Sequence, residues 1–94
     1  MTLARVVSFE GVTSERIAEL RNEIESGDRP EGLDATEMLV LHDPGSDRSL
    51  AIVFFDSDEA YERGDEILSA MPTGDTPGTR TSVSRYEVAI RMTT

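Results

Sequence analysis

The sequence predicts an α+β fold with strands and helices in the order βαββαβ, and three observations carry that prediction. Residues 49–71 pass from a dense apolar run, Leu50 to Phe55, through four acidic or polar residues into a pattern of helical period. The segment DPGSDR precedes that run and follows a second β-rich stretch, so it has the chemistry of a tight reversal between antiparallel strands. Two further β-like stretches stand near the two ends of the sequence, each separated from the hairpin by a helical pattern.

In order, residues 3–9 (LARVVSF) are rich in β-formers and read as the first strand. Glu10 and Gly11 turn the chain, after which Val12, Thr13 and Ile17 match a hydrophobic staple around an N-cap. A helix is expected from Thr13, with Ile17, Leu20 and Ile24 as its apolar stripe and Gly27 ending it in a left-handed conformation. Residues 28–34 (DRPEGLD) read as a loop, and residues 36–42 (TEMLVLH) as the second strand.

Leu50, Ala51, Ile52, Val53, Phe54 and Phe55 offer apolar side chains to both faces of a sheet, as a central strand covered on two sides requires. Asp56, Ser57, Asp58 and Glu59 then supply acceptors and negative charge to the first N–H groups of a second helix. Ala60, Gly64, Ile67, Leu68 and Met71 recur on one face of it. Gly64 costs about 1 kcal/mol against alanine but permits close approach to the sheet. Pro72 is expected to close this helix and residues 73–79 to form a loop. Residues 80–92 alternate as a fourth strand, with Tyr86, Val88, Ile90 and Met92 opposed to Arg85, Glu87, Ala89 and Arg91.

Right-handed crossovers place both helices on one face of an antiparallel four-stranded sheet, which makes the fold a ferredoxin-like plait. The other face has no helix, yet the third strand is apolar on both sides, and the second carries Leu39 and Leu41 on one face and Met38 and Val40 on the other. Apolar surface on this scale, approaching a few hundred Å², marks an interface, and a second copy of the chain is the simplest cover. A homodimer is therefore expected.

The 94 residues are expected to make a single domain, 1–94, whose core is modest because a chain of this size buries somewhat over roughly 60% of its unfolded surface. The longest apolar run is far too short for a membrane span, and no basic region followed by an apolar stretch suggests a signal peptide, so a cytoplasmic protein is expected. The absence of cysteine excludes disulfides, thiolate nucleophiles and cysteine-ligated metals. A net charge of −10 disfavours nucleic acid and anionic membrane surfaces as partners. All nine basic residues are arginine, so Schiff-base chemistry is excluded.

Chemistry-bearing candidates are few. His42 is the one imidazole, and Asp43 beside it could hold a tautomer suited to general-base work, although a histidine ending an edge strand before a turn is more commonly a semi-exposed polar residue. Arg5, Arg85 and Glu87 share a phase and are expected on the sheet face away from the helices as cross-strand ion pairs, with an anion-orienting arginine as the alternative. Tyr86, Phe54, Tyr61 and Met71 are expected between sheet and helices, either as filling or as pocket walls. The DSDE run lacks the glycine and terminal glutamate of a calcium loop, and a single histidine offers no ligand spacing, so neither a metal nor a protein-bound cofactor is expected.

The loop and hairpin EGLDATEMLVLHDPGSDRSLAIVFF, the SDEAYERG opening of the second helix and the alternating RYEVAIRM end resemble the dimeric α+β barrels, including the antibiotic-biosynthesis monooxygenase-like proteins. The resemblance covers nearly the whole chain and implies a dimeric barrel. Proteins of this kind include cofactor-independent oxygenases, haem-degrading enzymes and isomerases, so the resemblance fixes no reaction. Its oxygenases use a strand asparagine, a tryptophan or a helix histidine. Here there is no tryptophan, Asn22 lies on the polar side of the first helix, and His42 ends a strand, so no catalytic residue carries over. The functional expectation is a homodimer that binds a small apolar or aromatic molecule between sheet and helices. The alternatives are a cofactor-independent monooxygenase or isomerase, and a non-catalytic dimerisation or regulatory module whose acidic surface meets a basic partner.

Overall fold

The computed structural model describes residues 2–27, 32–70 and 78–93. Its elements run β1 (Leu3–Glu10), α1 (Ser14–Glu25), β2 (Glu37–Asp43), β3 (Arg48–Phe55), α2 (Asp58–Ser69) and β4 (Thr79–Glu87). The strands form one antiparallel sheet of order β2-β3-β1-β4, the ferredoxin-like plait expected from the element order. Both helices start as the sequence dictates. Thr13 Oγ1 accepts from the Arg16 N–H at 3.1 Å, and Ser57 Oγ accepts from the Ala60 N–H at 3.1 Å, each satisfying a donor that the helix leaves unpaired. Gly27 follows α1 with φ +88°, and Val12, fully buried, packs against Ile17.

Register divides the sheet into two faces. Leu3, Arg5, Val7 and Phe9 of β1 stand beside Phe55, Val53, Ala51 and Ser49 of β3 on the helix side. There Leu3, Val53 and Phe55 pack with Ala60 and Tyr61 of α2, while Val7 and Phe9 pack with Val12, Ile17 and Ala51. Gly64 lets α2 approach the sheet: a Cβ at that position would lie 2.4 Å from the Phe55 ring.

The same register corrects two expectations. Arg5 and Arg85 are cross-strand neighbours on the helix face, and neither pairs across the sheet. Arg5, only 4% exposed, donates from Nε to Asp65 Oδ1 at 2.8 Å and from Nη2 to Ser69 Oγ at 3.2 Å, while Arg85 pairs with Asp58; all three partners lie on α2. Glu87 shares this face, opposite Leu3. Phe54 and Tyr86 have the reverse phase and lie on the face away from the helices, so of the three described residues expected under the helices only Tyr61 is placed there. Met71 and Pro72 lie outside the described residues, as do most of the two expected loops.

The fourth strand is also shorter than its alternation suggests, because it ends at Glu87 opposite Leu3. One more bond, Val88 N–H to Thr2 O at 2.9 Å, brings it level with the first described residue of its one neighbour. Beyond this point the chain crosses to the open face, where Arg91 pairs with Glu37 and lies 5.4 Å over the Phe54 ring.

Candidate functional site

The hairpin builds the most chemically endowed corner of the sheet. Asp43 Oδ1 accepts from the Gly45 N–H at 3.1 Å and Oδ2 from the Ser46 hydroxyl at 2.8 Å, so the aspartate side chain shapes the turn. Those two bonds, together with the charges of Arg48 and His42, hold its carboxyl below the ordinary carboxylate range despite slight desolvation. The left-handed residue of the reversal is Asp47, at φ 52°, rather than Gly45. This turn pairs Asp43 with Arg48 and the next residues inward, His42 with Ser49.

His42 and Ser49 both point to the helix side, in the row that continues to Phe9 on β1. His42 Nδ1 and Ser49 Oγ are 3.0 Å apart, and Ser49 is buried. His42 Nε2 is shielded from solvent without a hydrogen-bond partner among the described residues. If the serine hydroxyl donates to Nδ1, Nε2 carries a proton to offer; if Nδ1–H donates, Nε2 is an acceptor. Either way one buried polar atom has no partner among the described residues, and leaving such an atom unpaired costs about 1–3 kcal/mol.

An open cleft of about 430 Å³ passes this pair, its walls including Phe9, Leu41 and Leu50 with His42, Ser49 and Arg48. It wraps around the end of the sheet, since Leu41 and Leu50 pair on the open face while Phe9, His42 and Ser49 belong to the helix face. Arg48 lies between Glu10 and Asp43 in the register, so the rim carries one cation between two carboxylates and does not favour anions. No group of three or more histidine, cysteine, aspartate or glutamate side chains suited to a metal occurs among the described residues.

The three residues singled out in the sequence are not brought together. Arg85 stands in the row of Met38, four residues along β2 from His42, and three strands across from it on β4, so at strand spacings the two positions are about 13 Å apart along the strands and about 14 Å apart across them. There it pairs with Asp58 and covers the Tyr61 ring at 4.7 Å, an arrangement that fastens α2 to β4. Tyr86 is on the opposite face, 58% exposed. Ser49 carries no chemical signal of its own in the sequence, and its place beside His42 follows from the turn: residues 42 and 49 pair in any hairpin that pairs 43 with 48.

No family model matches the sequence, and no curated protein matches it. Among solved structures, the fold is similar to a Chloroflexus aurantiacus J-10-fl protein provisionally designated an antibiotic biosynthesis monooxygenase. The match has a TM-score of 0.61 at 10% identity and covers 99% of this chain and 98% of that one. The two proteins thus share the plait over their whole length.

Proposed function

We propose that the protein works as a homodimeric α+β barrel, two copies closing their open sheet faces on each other, and that it binds a small apolar or aromatic molecule in the cleft beside His42 and Ser49. The open face is the observation that carries this reading. Leu39, Leu41, Leu50 and Tyr86 are exposed there with half-buried Ile52 and Phe54 among them, an apolar surface that water covers poorly. The cleft offers apolar walls and a few polar atoms at one end, the composition of a small-molecule site. Leu41→Asp places an unpaired charge in the proposed interface while leaving the helix-side core alone. It is expected to yield a folded monomer by light scattering and circular dichroism, whereas a variant that stays dimeric contradicts the interface. For the ligand half, the uncharged apolar dye Nile red is expected to bind saturably to the native protein and at least tenfold more weakly to Thr81→Trp, which fills the cleft from an exposed wall position. Equal affinities would refute the site.

A second reading, a cofactor-independent oxygenase or isomerase, is supported by the His42 imidazole in the wall of the cleft, whose Nε2 has no partner among the described residues. It also agrees with the designation of the Chloroflexus aurantiacus protein. Under this reading His42→Ala lowers kcat/KM a hundredfold or more, and an unchanged value removes it.

A further inference from the structure

We infer that residues 88–93, beyond β4, form an arm that docks on the open sheet face of a second copy of this chain. The inference rests on the homodimer proposed above and adds a segment that sets how the two copies meet. After the Val88 to Thr2 bond the chain leaves the ladder, and Arg91 pins it across its own sheet by pairing with Glu37 and covering the Phe54 ring. Both of those residues belong to the open face, at the end remote from the hairpin. The residues on either side of Arg91 are Ile90 and Met92, 83% and 78% exposed. With Arg91 turned toward its own sheet, these two apolar side chains are turned away from it, toward whatever covers that face.

Each copy therefore carries an apolar arm at one end of its open face and a bare strip, Leu41 and Leu50, at the hairpin end. A two-fold axis running across the strands sets the arm of one copy against the strip of the other, twice, which is the self-complementarity a closed dimer requires. A partner of different sequence would have to supply both surfaces independently. The second copy already has them.

Sedimentation equilibrium of the native chain and of an Ile90→Ser, Met92→Ser double variant tests this. Both side chains face solvent in the single chain, so circular dichroism and single-chain folding are expected to be unchanged while the dimer dissociation constant rises at least tenfold. A native dimer whose constant changes less than twofold in the double variant overturns the arm and leaves the dimer standing. A native chain that is monomeric at micromolar concentration overturns both.

Discussion

At the scale of single residues, Gly64 and Tyr61 show how closely α2 is fitted to the sheet. A Cβ on residue 64 would meet the Phe55 ring, and that ring is fully buried and held edge-on to Tyr61 at a centroid distance of 5.5 Å, so it has no room to withdraw. Gly64→Ala should gain about 1 kcal/mol of helix propensity and lose more to overpacking. The expected result is a net loss of about 1–2 kcal/mol in urea unfolding. Tyr61 titrates above the ordinary phenol range, first because it is buried and second because Asp65 lies nearby. Its folded pKa is raised, so its contribution to stability is complete below the unfolded value of about 10 and is lost as pH rises through the folded value. In a Tyr86→Phe variant, which leaves Tyr61 as the one tyrosine, phenolate absorbance should develop above the pH expected of a free phenol, and a midpoint at the ordinary value would show that the ring is not packed as described.

At the scale of elements, α2 is fastened by charge as well as by packing. Arg5 and Arg85 oppose each other on neighbouring strands, a like-charge contact that by itself destabilises a sheet, and α2 answers it with Asp65 and Asp58. Removing Asp65 leaves a buried guanidinium without a counter-charge, so Asp65→Ala should cost on the order of 2–3 kcal/mol in chemical unfolding. Asp58→Ala should cost under about 1 kcal/mol, since both members of that pair are substantially exposed. Equal costs would mean that burial does not distinguish the two pairs. This contact was hidden in the sequence for a physical reason. Period-two alternation sorted β1 into Leu3, Arg5, Val7 and Phe9 against Ala4, Val6 and Ser8, but both classes contain apolar residues, and the partner that decides the matter is 60 residues away. The helices, by contrast, were legible from purely local chemistry at Thr13, Ser57 and Gly27. The end of β4 was not, because alternation records which side chains could form a strand, whereas a strand needs a neighbour and β1 runs out at Thr2 and Leu3. For the candidate site, the sequence supplied His42 but not Ser49, whose pairing emerges only once the register is fixed by the turn.

At the scale of the whole molecule, the proposed homodimer rests on the distribution of apolar surface between the two sheet faces. One sheet face is occupied by helices, and the other bears leucines, an isoleucine, a phenylalanine and a tyrosine, with residues 88–93 alone among the described residues crossing over part of it. The cleft at the hairpin end shares Leu41 and Leu50 with that face, so a second copy would also wall the cleft and exclude water from one side of it. Ligand binding and association are then linked through common residues, and a ligand that prefers the dimer tightens it by the same factor by which dimerisation tightens the ligand. All of this depends on the two sheets meeting. Sedimentation equilibrium of the unmodified protein at micromolar concentration measures that most directly: the expected mass is twice the 10.3 kDa of one chain, and a mass of one chain would contradict the barrel, because the apolar face would then stand in water uncovered.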